Sequence, residues 1–238
     1  MITDLKRLWQ EAFSEPGDTF FSTGFSAGCF RRLYAKDLLA GAVYWFDVTC
    51  NGRKYAYIYG LATAKALRGQ GFGKRLMHQT HQQLRRCGYD GAILVPADKK
   101  LFDYYGKMGY RHLCSIGEFS CSAEGIVPAK SISAEEYAAL RKAHLPAGSV
   151  LQEGKILRYL ASYACFWTGD GWLLCGSIVN DTLYVQEFWG DPSLAPAITA
   201  AVGAKKGLFR TPGTGRPFAM YYPLTDAPKP KYFGIAMD

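Results

Sequence analysis

One heptapeptide, Arg68-Gly69-Gln70-Gly71-Phe72-Gly73-Lys74, constrains this chain more than any other feature. It follows an alternating run, Lys54 to Thr63, with tyrosines at 55, 57 and 59 on one face. It precedes a stretch of helical apolar spacing from about Phe72 to Cys87, which Gly88 closes. Strand, glycine turn, helix is therefore the local order. The first turn of a helix carries amides with no partner inside the helix, together with the positive end of the helix dipole, so such a turn can face an anion. Glycines at 69, 71 and 73 have no Cβ to hold a phosphate off the backbone, and Arg68 and Lys74 add charge that pairs with it.

The turn is not a nucleotide-hydrolysing loop. Gly73-Lys74 is followed by Arg75 instead of Ser or Thr, and Arg68 stands where the first glycine would be. Nor does it have the G-x-G-x-x-G spacing of a dinucleotide site, which would need glycine at 74 or 76. Around it, β-rich runs occur at Phe30 to Ala35 and Ala42 to Thr49, the second joined to the tyrosine run by Asn51-Gly52, a strong hairpin signal. Gly60 interrupts the tyrosine alternation as a bulge or a close backbone approach would. After the helix come a short apolar strand, Gly91 to Val95, a helix from about Lys99 to Met108 closed by Gly109, and a strand from Tyr110. This alternation predicts an α/β fold with a mixed central sheet flanked by helices.

A chain of 238 residues can bury one large core or two modest ones, and the pattern favours two. The expected link is Ala123 to Ser133, with Gly125 and Pro128, dividing the chain into 1–122 and 130–238. The second half reads as helices over about 134–145 and 151–164, strands at Trp172 to Val179 and Thr182 to Trp189 turned at Asn180-Asp181, a helix at Leu194 to Val202, and strands at 207–210, 218–223 and 232–236. Its hairpin, helix, strand order repeats that of the first half. The longest apolar stretch, Leu38 to Phe46, falls well short of the roughly 18 to 20 residues of a spanning helix. Asp4, Lys6, Arg7 and Glu11 interrupt any leader-like start. Seven cysteines without a C-x-x-C pair read as reduced thiols, so a cytoplasmic protein away from membranes is expected. Residues 1–120 carry 17 basic against 10 acidic side chains, but the basic pairs Arg31-Arg32, Arg53-Lys54, Arg85-Arg86 and Lys99-Lys100 are scattered, as on a solvated surface, and no nucleic-acid partner is expected.

The segment Arg68 to Gly73 resembles the [RQ]-x-x-G-x-[GA] motif of the GNAT superfamily of acyl-CoA-dependent N-acyltransferases, with Arg68, Gly71 and Gly73 in the motif positions. A second segment agrees. Val95-Pro96-Ala97-Asp98, followed by Leu101 to Tyr110, is similar to that family's next strand, helix and Y-x-x-x-G-[FY] motif, and the likeness extends over about residues 30–115. The resemblance implies acetyl-CoA as co-substrate, no metal, and an amine of a small molecule or peptide as acceptor; a homodimer is left open. It implies main-chain pairing of the pantetheine at Leu61, Ala62 and Thr63, and pyrophosphate binding by Arg68, Gly69, Gln70, Gly71, Phe72, Gly73 and Lys74. It also implies cofactor contacts from Asp98, Phe102 and Tyr105, although many members have Asn where this chain has Asp98. A splay between the tyrosine strand and the strand at 91–95 would admit the thioester. Tandem members of the family carry a degenerate second copy, as 130–238 would be. The turn argues against the tandem-fold transferases that use aminoacyl-tRNA, since those lack an intact phosphate turn.

Acyl transfer from a thioester to an amine requires a neutral nucleophile, a polarised carbonyl and a proton for the departing sulfur. A free alkylamine with pKa about 10.4 is almost wholly protonated at neutral pH, and a leaving thiolate of pKa near 8.5 can take a proton from a tyrosine of pKa about 10. Tyr105, four residues before Gly109, is the candidate acid; its spacing with Leu101, Phe102 and Met108 equally describes a core aromatic. Tyr57 and Tyr59 are weaker candidates for the base, since tyrosines on a half-buried strand mostly pack. A further candidate is the carboxylate of Asp238. His78, His81 and Cys87 on one helix read as a solvated face rather than a metal site, and no serine or cysteine has the context of an acylated nucleophile. Phe188, Trp189, Tyr221 and Tyr222 are candidates for lining an acceptor cleft. The competing expectation is a non-catalytic module that senses acyl-CoA or binds nucleic acid.

Overall fold

The computed structural model describes residues 2–237. In chain order the elements of the first part are α1 (Ile2–Phe13), β1 (Phe30–Ala35), β2 (Leu38–Cys50), β3 (Arg53–Thr63), α2 (Phe72–Arg86), β4 (Gly91–Leu94) and α3 (Lys99–Gly106). There follow β5 (Arg111–Ser122), β6 (Lys130–Ile132), α4 (Ala134–His144), α5 (Lys155–Leu160), β7 (Cys165–Gly169), β8 (Trp172–Val179), β9 (Thr182–Trp189), α6 (Ala195–Ala201), β10 (Lys206–Gly213) and β11 (Arg216–Pro223). The fold is mixed α/β, with mixed sheets flanked by helices.

Two compact units emerge, and neither is a continuous stretch of chain. One comprises residues 1–111, 154–159 and 220–229; the other comprises 112–153, 160–219 and 230–238. The segment 123–133 that the sequence offers as a link lies wholly within the second.

In the first unit β1, β2 and β3 are antiparallel neighbours, β4 joins β3 in parallel, and the end of β11 pairs antiparallel with β4, Met220 opposite Leu94. The β2–β3 hairpin turns at Asn51 (φ +50°) and Gly52 (φ +72°), where both residues take the left-handed conformation that matches the twist of the strands. On one face of the sheet Ala56, Ile58, Leu76, Met77, Leu84 and Leu94 form an apolar core beneath α2. On the other face Trp9, Phe20, Tyr44, Phe46 and Tyr59 pack against one another at ring separations of 4.5 to 6.2 Å, mostly tilted or edge-on. Gly88 (φ +76°) ends α2, with the amides of Gly88 and Tyr89 turned back to the carbonyls of Arg85 and Leu84.

In the second unit β7, β8 and β9 are antiparallel neighbours, β10 joins β9 in parallel, and β5 pairs antiparallel with β10. The succession of strand directions is the same as that of β1, β2, β3, β4 and β11. The Asn180-Asp181 turn again has two residues at positive φ. Two readings need correction. The helix expected over 151–164 is confined to Lys155–Leu160, and the strand expected at 232–236 is a buried irregular segment with one bridge, Ser149 to Tyr232.

That closing segment is held by a buried polar knot. The Glu187 carboxylate accepts from Arg141 Nε (2.5 Å) and an Arg141 terminal nitrogen (2.8 Å), and from the hydroxyls of Tyr137 (2.8 Å) and Tyr232 (3.0 Å). Gln152 donates to the Ile235 carbonyl and accepts from the Ile235 amide. Burial alone would raise the Glu187 carboxyl; the Arg141 guanidinium overrides it and holds it below the ordinary carboxylate range.

His81 departs from the sequence reading, which placed it on a solvated face. It is buried, hydrogen-bonded through Nε2 to Tyr110 Oη at 2.9 Å, and stacked on Tyr222 with centroids 4.0 Å apart. Met77, His81 and Leu84 share the buried stripe of α2, a three-to-four-residue spacing that outweighs the polarity of imidazole. Burial lowers its pKa to about 4, assisted by nearby Arg85 and His78. The unfolded chain therefore binds a proton at higher pH than the native one, so this stability contribution is complete above about pH 6.5 and is lost as pH falls towards 4. The full difference is on the order of 3 kcal/mol. Replacing His81 with Gln should flatten the fall in melting temperature between pH 7 and pH 4.5 relative to wild type, and parallel curves would place the acid sensitivity elsewhere.

Candidate functional site

β3 delivers the chain to the glycine turn with its register already broken. Ala42 opposes Ala62 and Tyr44 opposes Tyr59, so Gly60 and Leu61 together face Val43: a bulge, with Gly60 at φ +66°. A Cβ at Gly60 would lie 2.6 Å from the Trp9 ring, so glycine is needed here for both backbone conformation and space. On its other edge β3 pairs with β4 only from Tyr55 to Tyr57, although β3 runs on to Thr63. Beyond Tyr57 the two strands have no ladder pairs, and β4 itself ends at Leu94.

The turn then lifts away from the sheet. A short 3-10 turn, Lys65–Leu67, leads into Gly69 (φ +77°) and Gly71 (φ +81°), and Gly71 forms the N-terminal boundary of α2 with no side-chain cap. A Cβ at Gly69 or Gly71 would meet nothing within 4 Å, so backbone conformation rather than crowding asks for glycine there. The first helical bond of α2 runs from the Arg75 amide to the Gly71 carbonyl. The amides of the first turn of α2 have no acceptor within the helix, and no side chain caps them at Gly71. They lie at the positive end of a fifteen-residue helix.

The other sequence-selected residues divide between this opening and the core. Leu61 and Phe72 pack partly against the core, Ala62 is buried, and Thr63 is half-buried. Arg68 donates from Nε to the Thr63 carbonyl at 3.1 Å, tying the turn to the end of β3, and Gln70 donates to the Ala66 carbonyl at 3.3 Å. Lys74 is exposed. Asp98 caps α3, its carboxylate accepting from the Leu101 amide at 3.0 Å. That role explains a carboxylate at this position without any ligand. Phe102 lies partly buried on the core.

Tyr105 is also in this core, its ring edge-on to Tyr104 (5.2 Å) and Tyr110 (5.7 Å). Burial pushes its hydroxyl well above the ordinary tyrosine range, with a smaller contribution from Tyr104, so it is protonated throughout the usual assay range. Tyr57 is buried in the aromatic layer, and Tyr59 shares a 2.9 Å hydrogen bond with Tyr159. Asp238 lies outside the described residues. Phe188 and Tyr221 are core residues, and Tyr222 is the ring stacked on His81.

Sequence reasoning missed Tyr104. A Cβ at Gly73 would lie 2.6 Å from Tyr104 Oη and 3.4 Å from Thr63 Oγ1, so the third glycine makes room for a tyrosine reaching over from α3. No local signal marks that contact, because about thirty residues separate the two partners. In the second unit the corresponding turn, Gly190 to Leu194, is chemically opposite. Pro192 lacks an amide proton and the Asp191 carboxylate caps the Ser193 amide. A separate concavity of about 570 Å³ in that unit is lined by side chains including Glu118, Tyr184, Gln186, Leu208 and Arg210. Among the described residues no group of three or more metal-ligating side chains gathers, and no helix is long and apolar enough to cross a membrane.

Residues 32–125 match the family described as an acetyltransferase (GNAT) domain. No curated protein matches the chain. Among solved structures, a GCN5-related N-acetyltransferase from Kribbella flavida superposes with a TM-score of 0.63 at 18% identity, covering 94% of this chain and 69% of the other. One from Anabaena variabilis gives 0.69 at 14% identity, over 94% and 70%. A putative acetyltransferase from Pyrococcus horikoshii gives 0.64 at 14% identity, over 98% and 90%. At these identities the structural likeness is one of fold.

Proposed function

Starting from a chain whose residues 32–125 match an acetyltransferase (GNAT) domain, we propose that it is an acyltransferase that binds acetyl-CoA in its first unit and passes the acetyl group directly to a primary amine of a small molecule or peptide. The observation that carries this reading is the coincidence of two open sets of hydrogen-bonding groups. The amides of the first turn of α2 lack both intrahelical acceptors and a side-chain cap, and shortly before them β3 runs beyond its pairing with β4. An anion joined to an extended amide chain matches both.

In this reading residues 69–74 hold the pyrophosphate, the main chain at Leu61, Ala62 and Thr63 pairs with pantetheine, and Lys74 adds exposed positive charge. Acetyl-CoA supplies the activated acyl group. Tyr105 keeps its proton throughout the assay range and can offer it to the departing sulfur as a hydrogen bond while negative charge develops there. Asp98 is left to its cap, and Tyr57 and Tyr59 are left to the aromatic layer. The matching succession of strands in the second unit supports its reading as a degenerate copy, and Pro192 and Asp191 support the absence of a second cofactor site there.

Thermal unfolding with acetyl-CoA, CoA and dephospho-CoA tests the binding step, and release of free thiol across an amine panel tests transfer. Ligand at one hundred times Kd should stabilise the native protein by about 2.7 kcal/mol, seen as a clear rise in melting temperature. No rise with any of the three would overturn the proposal. Stabilisation without thiol release for any amine would favour an acyl-CoA sensor.

A further inference from the structure

We infer that Tyr104 is a further acyl-CoA-binding residue, whose hydroxyl, brought beside Thr63 to the first turn of α2, donates a hydrogen bond to the diphosphate of the cofactor. The inference rests on the proposed acetyl-CoA reading and adds a residue outside the two sequence motifs. Its basis is placement. Tyr104 leaves α3 on the side away from the core that takes Tyr105, and its ring remains 37% exposed. Its Oη comes so close to the Gly73 α-carbon that even a methyl group there would meet it at 2.6 Å, with Thr63 Oγ1 on the same side at 3.4 Å.

Two hydroxyls therefore lie beside Gly73 in the uncapped first turn of α2, one from the end of β3 and one from α3. Both donate without bringing charge of their own, and partial burial raises the Tyr104 pKa, so its proton is present throughout the assay range. The edge-on contact with Tyr105, at 5.2 Å and 69°, fixes the ring by packing, so the hydroxyl is not required to hold its position. Gly73 thereby has a reason beyond anion approach: any larger residue displaces the tyrosine hydroxyl from the site.

The test is the affinity of Tyr104→Phe for CoA and for ADP, which keeps the diphosphate without pantetheine, measured by calorimetry at one salt concentration. A hydrogen bond to a charged group is worth enough that both affinities should fall by about tenfold, with the melting temperature of the free protein unchanged. Thr63→Val should weaken the same two ligands. Equal affinity of wild type and Tyr104→Phe for CoA would overturn the inference. So would a loss confined to CoA, which would put the hydroxyl on the pantetheine arm. Failure of the wild-type protein to bind CoA at all would instead count against the proposed function.

Discussion

Under the proposed transfer from acetyl-CoA, Tyr105→Phe will keep the affinity for that cofactor and will lose about a hundredfold or more in kcat, the scale expected when a positioned general acid is removed. The substitution keeps the ring that packs edge-on against Tyr104 and Tyr110 and removes one oxygen from a residue that is 9% exposed. Stability should hence change by no more than about 1 kcal/mol. Burial keeps the hydroxyl protonated at every ordinary assay pH, so no acidic or neutral limb of the wild-type pH profile should belong to it. Two measurements separate acid from core aromatic: single-turnover thiol release, and the acetyl-CoA dissociation constant. Unchanged turnover with unchanged affinity would return Tyr105 to a packing role and leave the proton for the thiolate to another group.

The second large effect is on folding. Arg141→Ala will destabilise the protein by about 3 to 5 kcal/mol, because it strands the Glu187 carboxylate, 1% exposed, without its guanidinium. Tyr137 and Tyr232 would still donate to that carboxylate, but hydroxyls cannot neutralise it. Replacing both members with apolar residues, Arg141→Met with Glu187→Leu, should recover much of the loss, since a buried pair in place of good packing contributes little net stability. Urea titration of the wild type and the two variants reads the difference. A loss below about 1 kcal/mol in the single variant would mean that the carboxylate takes up a proton or water there at little cost.

Sequence made legible whatever depends on neighbours along the chain. Asn51-Gly52 and Asn180-Asp181 announce their turns because few other residues accept positive φ at two successive positions. Gly60 announces the bulge, and the glycines from 69 to 73 announce the start of α2. What depended on partners far along the chain was hidden. His81 looked solvated because its polarity was weighed above its place between Met77 and Leu84. The Glu187 knot draws on α4, β9 and the closing segment, and no single stretch carries that pattern. The alternation at 232–236 mimicked a strand, whereas Gln152 takes both backbone groups of Ile235 that a ladder would have used. Tyr104 stood beside the selected Tyr105, but only the fold brings it to Gly73.

The strand that closes the first unit on β4 is built from Met220 onward, after nearly the whole of the second unit has been read out. On the ribosome, the edge of β4 must therefore wait without its native neighbour through more than a hundred residues of synthesis. So wide a sequence separation slows closure and leaves an adhesive β edge exposed in the interval. A gene fragment that ends with the matched acetyltransferase segment would omit this strand, so activity is best sought in the uncut chain.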